Sequence, residues 1–261
     1  MRVRTCARTF SPTEKMLQQR NATCNSRVIH FIENPVTNLT KQANPTTIIL
    51  IRHGETAWNA ERRLQGHIDI ALNAAGERQA QALGQALRAE ALDAVIASDL
   101  QRAHQTAQAV AHWHGVPVQS DAGLRERCFG AFEGMTYQEI RQHYPVEHIA
   151  WKTREVDAIL PPGMRVGETF RAFYGRTMAA ITGLAQQYPG QKIAMVAHGG
   201  VLECAYRAAL SMPLATVRDF DVLNASINRF TFKDGVLTLT AWGDVAHLEG
   251  PVLDEVDPCV A

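Results

Sequence analysis

The feature that most constrains this chain is the way short β-branched apolar runs alternate with helical stripes. "TTIILIR" (46–52) is a run of Thr, Ile and Leu that breaks into a polar turn, the pattern of a strand buried on both faces of a sheet. "LNAAGERQAQALGQALRAE" follows, with Asn73 suited to cap a helix and Ala80, Leu83, Ala86 and Leu87 spaced as its apolar stripe. "DAVIAS" (93–98) reads as a strand, "LQRAHQTAQAVAHWHG" (100–115) as a helix closed by Gly115, and "VPVQS" (116–120) as a third strand. A short helix is expected at 136–143, stopped by Pro145, and a long one in "GETFRAFYGRTMAAITGLAQQYPG" (167–190). "KIAMVAHGG" is a strand running into glycines, "VLECAYRAALS" the next helix, and "INRFTFKDGVLTLTAW" a hairpin turning at Asp234-Gly235. Such alternation predicts an α/β three-layer sandwich with a mostly parallel central sheet.

In such sheets, ligands bind beyond the carboxyl ends of the strands. Three of those ends carry chemistry. The first strand delivers Arg52, His53 and Gly54; the second delivers Ser98 and Asp99, with Arg102 one helical turn on; the fourth delivers His198, Gly199 and Gly200. Two guanidiniums and two imidazoles at one edge suit a dianionic oxyanion. Arginine's planar fork of donors matches phosphate bidentately, and histidine can serve as nucleophile or proton carrier near neutral pH. The glycines let the backbone come close to a ligand, and a helix opening near Gly200 adds N–H donors. No Asp/His/Glu set is spaced as a metal cage, so charge stabilisation falls to the arginines and neither a metal nor a cofactor is expected.

Composition excludes several other classes. Lys+Arg and Asp+Glu both total 26 in 261 residues, which argues against a nucleic-acid binder. No run of 18 apolar residues occurs, so no membrane-spanning helix is expected. The five cysteines are odd in number and include no CxxC pair, so a disulfide framework is not indicated and a cytoplasmic location is expected. Residues 1–45 read as a flexible leader: the first 46 positions hold seven bases and two acids, without periodicity. Residues 249–261 read as a polar tail, leaving 46–248 as the folded domain. The sequence is compatible with a homodimer.

The motifs at the strand ends resemble those of the histidine phosphatase superfamily, the phosphoglycerate mutase-like group. "LIRHGETAWN" (50–59) is similar to its opening motif, "SDLQRAHQTA" (98–107) to the second, "LRERCFGAFEG" (124–134) to the third and "VAHGG" (196–200) to the fourth. "RLQGHIDIALNAAG" (63–76) and "NASIN" (224–228) also fit, so the likeness covers about 200 residues. The resemblance implies that His53 is the nucleophile that becomes phosphohistidine. It implies that Arg52, Arg102 and His198 clamp the phosphate, that Asn59 contacts the phosphoryl group, and that Glu126 protonates the leaving oxygen. Gln65 and Gly199 are further candidates for substrate contact. A second branch of the superfamily places an Asp directly after the second histidine; Gly199 stands there, which resembles the first branch.

Within that branch the choice lies between mutase and phosphatase. His198 lies 72 residues after Glu126, without the longer basic insertion that the resemblance associates with cofactor-dependent mutases. Met135, Thr136 and Tyr137 follow Gly134 where mutases tend to carry a Lys. Both features are similar to the broad-specificity and ribazole-phosphate phosphatases. The expectation is a metal-independent phosphomonoesterase acting on a small phosphorylated substrate. A mutase is the first alternative, since Arg62, Arg63, Arg127, Lys152 and Arg154 offer cations for a second anion; a non-catalytic phospho-ligand binder is the other. Glu133 lies in the same loop as Glu126 and competes with it for the acid's role. Ser98 lacks a nucleophile elbow, and Cys128 reads as a small apolar filler.

Overall fold

The computed structural model describes residues 44–255, and the readings made for positions before and after these lie outside the described residues. Its centre is a six-stranded sheet. The strands are β1 (Thr46–Arg52), β2 (Ala94–Ala97), β3 (Val118–Ser120), β4 (Lys192–Ala197), β5 (Ile227–Lys233) and β6 (Val236–Asp244). They lie in the order β3-β2-β4-β1-β5-β6. The pairs β1–β4, β2–β4 and β2–β3 are parallel, and the C-terminal hairpin is antiparallel and pairs antiparallel with β1. At its turn Asp234 and Gly235 both have positive φ (51° and 81°), the conformation that matches a two-residue loop to strand twist.

β1 shows why this sheet needs two helical layers. Ile48, Ile49, Leu50 and Ile51 are all fully buried. Side chains alternate across a strand, so Ile48 and Leu50 face one layer and Ile49 and Ile51 the other. On the first face they pack with Phe173, Ile181 and Leu184 of α6 (Phe170–Gln187) and Val201, Leu202 and Ala205 of α7 (Gly199–Ala209). On the second they meet Leu83 and Leu87 of α2 (Ala74–Leu87) and Ala103, Ala107 and Val110 of α3 (Gln101–Ala111). Each such buried aliphatic side chain contributes roughly 1.5–3 kcal/mol.

The expected elements appear with local adjustments. Asn73 caps α2, accepting from Gly76 N at 2.8 Å. Ala86, assigned to the apolar stripe, is exposed, and Gly84 is buried instead. A Cβ at Gly84 would lie 2.3 Å from Ala109 O, so α2 and α3 approach more closely than any larger residue allows. A short α1 (Ala57–Ala60) follows the first strand end. Pro145 does not simply stop α4 (Tyr137–His143); it opens another helix, α5 (Pro145–Lys152), at the first-turn position that tolerates a missing N–H. Around these two helices Leu64, Phe132, Ile140 and Leu160 form a separate small core that walls the strand ends.

Candidate active site

The carboxyl ends of β1, β2 and β4 meet as expected. His53 continues β1, its N–H donating to Ala197 O at 3.0 Å, and its carbonyl accepts from Asn224 Nδ2 at 3.0 Å and Ala225 N at 3.2 Å. Its ring is almost wholly buried, and Nδ1 lies 2.6 Å from Gly54 O. A carbonyl can only accept, so Nδ1 carries the proton and Nε2 the lone pair. The His198 ring sits 5.2 Å away, centroid to centroid. Burial, then Arg102, and then other neighbouring groups including Arg52, hold both imidazoles well below their usual pKa. His53 is therefore a neutral imidazole with a free lone pair.

The arginines are anchored from behind. Arg52 Nη1 donates to Val222 O at 2.5 Å. Arg102 donates through Nη1 to Ile68 O at 3.1 Å and through Nη2 to Gly66 O at 2.8 Å. Burial lowers Arg102 to about 10, which leaves it charged at neutral pH. Among the described residues, Arg52 Nε and Nη2, Arg102 Nε and both ring nitrogens of His198 are buried without a hydrogen-bond partner. An orphaned buried polar atom costs about 1–3 kcal/mol. Arg52 Nη2 lies beside a carboxylate; the other four have no partner among the described residues, and on neighbouring groups of which two are cations they suit an oxyanion.

The two candidate acids separate cleanly. Glu133 Oε1 accepts from His67 N at 2.9 Å and Phe129 N at 3.1 Å, so this carboxylate ties two loops together. Glu126 is buried beside the start of α7, with Oε2 accepting from Gly200 N at 3.0 Å and Oε1 from Arg127 N at 2.7 Å. Burial first, and the carboxylate of Glu255 second, push it up to about 7. A carboxyl that is half protonated at neutral pH can give and retrieve a proton there.

The remaining candidates are placed less directly. Asn59 Oδ1 accepts from Thr56 N at 3.0 Å and closes a capping box on α1, leaving its amide nitrogen as the group available to a ligand. Gln65 is buried beside the loop that grips Arg102, with Oε1 lacking a hydrogen-bond partner among the described residues. Gly199 opens α7. Of the arginines considered for a second anion, Arg63 pairs with Glu61 and Glu139, and Arg154 pairs with Glu203 at 2.6 Å. Arg127 Nε donates to Glu168 O at 2.9 Å.

Sequence reasoning assigned nothing to the tail, yet Glu255 Oε2 lies 2.5 Å from Arg52 Nη2, an ion pair whose N–H does not line up as a hydrogen bond. A lone acid in a polar stretch carries no signal of such a contact. Arg176 was also missed: it donates to Arg125 O at 3.1 Å and Glu126 O at 3.2 Å while paired with Glu168, so it holds the acid's backbone in place. Among the described residues, no three His, Cys, Asp or Glu side chains gather as a metal site, and no helix is long and apolar enough to cross a membrane.

Fold and pocket together define an α/β protein with two buried arginines and two buried histidines at its strand ends. The comparisons give that class its family. Residues 48–245 match the model of the histidine phosphatase superfamily (branch 1), and the chain belongs to that family. It is 39% identical over 205 residues to phosphoglycerate mutase-like protein 4 of Arabidopsis thaliana, covering 77% of this chain and 86% of that one. Among solved structures it resembles YhfR of Bacillus stearothermophilus, with a TM-score of 0.72 and 33% identity over 78% of this chain and all of that one. It also resembles a phosphoserine phosphatase of Entamoeba histolytica in complex with phosphoserine, with a TM-score of 0.69 and 28% identity over 78% of this chain and all of that one.

Proposed function

We propose that this chain is a metal-independent phosphomonoesterase that hydrolyses small phosphorylated metabolites through a phosphohistidine on His53. Arg52, Arg102 and His198 hold the phosphoryl oxygens in this reading, with Asn59 Nδ2 and Gln65 at the rim. His53 Nε2 donates its lone pair to phosphorus, the bond to the ester oxygen breaks, and the Glu126 carboxyl gives that oxygen its proton. Water then attacks the phosphohistidine, Glu126 takes up the proton, and inorganic phosphate leaves with His53 neutral again. Nδ1–H stays on Gly54 O throughout, so the ring does not turn between steps.

The observation that favours hydrolysis over transfer is the outer wall. A cleft runs from Glu126 and Gly200 past Phe129, Tyr137, Trp151 and Phe170. Its arginines Arg127, Arg154 and Arg218 hold acceptors within the fold, and the guanidiniums of the first two lie over the Phe170 ring. Such a wall suits a leaving group with an apolar or aromatic face better than one bearing a second dianion. The mutase reading draws support from the Arabidopsis relative's name. Phosphate release across a panel of phosphomonoesters separates the two: the proposal expects free phosphate, with turnover favouring aryl or otherwise apolar esters. Transfer from a bisphosphorylated donor to phosphoglycerate, with little phosphate released, would establish the mutase. The cysteine pattern supports the cytoplasm as its compartment.

A further inference from the structure

The segment Leu253–Glu255 returns to the sheet as a short strap. Leu223 and Asp254 form an antiparallel bridge, Asn224 N donates to Leu253 O at 3.0 Å, and Glu255 N donates to Val222 O at 3.0 Å. The Asp254 carboxylate ties the strap down by accepting from Val222 N at 2.6 Å, and Arg218 Nη2 donates to Glu255 O. This geometry carries the Glu255 carboxylate inward to Arg52, and a Cβ at Gly199 would lie 2.5 Å from its Oε2. It thus lies against Arg52 and Gly199, two of the positions assigned to the substrate phosphate. Its side chain is 28% exposed while that of Arg52 is fully buried, so the carboxylate has a way out to solvent and the guanidinium does not.

We propose that Glu255 is an internal anion that competes with the phosphomonoester for Arg52, and that the Leu253–Glu255 strap must yield before substrate binds. This rests on the reading of the pocket as a phosphate site. A carboxylate is a singly charged stand-in for phosphate. It pairs with the arginine but leaves Arg52 Nε, Arg102 Nε and His198 without acceptors among the described residues. A phosphate dianion offers more acceptor oxygens and displaces it. The cost of displacement appears as weakened binding: a strap closed about nine-tenths of the time raises the apparent Kd about tenfold.

The test uses the full chain and inorganic phosphate, titrated by calorimetry so that no turnover is needed. Glu255→Gln, which keeps the shape and removes the charge, should bind phosphate about tenfold more tightly than the wild type. Asp254→Ala, which removes the acceptor of Val222 N and leaves the Glu255 anion in place, should tighten it by a smaller factor and reads the same effect if the first variant fails to fold. The exposed Glu249→Gln is the control for tail charge and should not differ from the wild type. Unchanged or weaker phosphate binding in the folded Glu255 variant overturns the proposal, as does an unchanged Asp254 variant where the other is unfolded. Tighter phosphate binding in a chain that hydrolyses no ester sustains the strap and defeats the phosphatase reading. Phosphate bound by none of the proteins defeats both.

Discussion

Replacing Glu126 by Gln tests the chemistry where two residues of the same loop compete for one role. The alkoxide of an alkyl phosphate leaves poorly unless it is protonated as it departs, whereas p-nitrophenolate needs that proton far less. Loss of a positioned acid typically costs 10²–10⁴-fold, roughly 3–5 kcal/mol of barrier. The structure adds a second, unselective loss. Glu126 accepts from Gly200 N and Arg127 N on different oxygens, and a glutamine has only one carbonyl, so one backbone N–H is orphaned. That costs about 1–3 kcal/mol of stability but weighs equally on both ester types. Glu133 takes both of its N–H donors on Oε1 alone, so Glu133→Gln keeps both bonds and is a benign control. Turnover of glycerol phosphate and p-nitrophenyl phosphate should therefore diverge by 10²-fold or more in Glu126→Gln and stay in proportion in Glu133→Gln. Wild-type activity on the alkyl ester should fall as pH rises through about 7, where Glu126 loses its proton, and that basic limb should vanish in the Gln variant. Burst kinetics must first show that transfer to His53 limits the rate with both esters. Equal losses on the two esters would mean that Glu126 only shapes the site. Divergence in the Glu133 variant would move the acid there.

His53→Ala should lose about 10³-fold or more in turnover and all of the acid-labile, alkali-stable phosphoenzyme trapped by rapid alkaline quench; substantial residual activity would exclude the nucleophile. Activity should survive excess EDTA and be inhibited by vanadate, because the pocket's charge comes from Arg52 and Arg102; loss on chelation restored by a divalent ion would refute this. Leu83→Ala should cost about 2–5 kcal/mol in urea unfolding without changing KM, since Leu83 packs between α2 and the sheet, remote from the strand ends. Stability should also report the buried acid. Glu126 is raised in the fold, so its protonated form favours folding below about 4.5, and this contribution is lost as pH rises through about 7. Wild type should lose stability relative to Glu126→Gln across that interval, and a pH-independent gap would show the carboxyl to be ordinary.

The residues of the proposed phosphate pocket were legible because the backbone itself places them. Arg52, His53 and His198 sit where buried strands end, and a β-branched run breaking into Arg-His-Gly shows that end in the sequence. Arg102 was legible as the first turn of a helix that must follow β2. Glu126 could be named but not told from Glu133, because the distinction lies in which backbone N–H groups each carboxylate reaches, and those belong to loops far apart in sequence. Ala86 and Gly84 exchanged roles for a similar reason. Periodicity gives the face of α2, but the close approach of α3 decides which small residue lies on the contact. Glu255 was invisible, since Arg52, its ion-pair partner, lies about 200 residues earlier.

The proposed phosphate site also accounts for the burial of two arginines at the end of a hydrophobic sheet. An isolated buried guanidinium is strongly unfavourable, and here Arg102 is held by carbonyls on both outer nitrogens and Arg52 by a carbonyl on Nη1 and the Glu255 carboxylate beside Nη2, while Nε of each remains free of acceptors among the described residues. Satisfying every donor with protein oxygens would stabilise the fold and close the site. In the proposed function, leaving Nε of both arginines and the ring of His198 unsatisfied keeps these groups fixed where the phosphate would bind, so their alignment costs little on binding. The same cations and the same burial keep His53 neutral, which is the state that can attack phosphorus. Donor placement and nucleophile activation are thus one electrostatic arrangement, and replacing either arginine disturbs both at once.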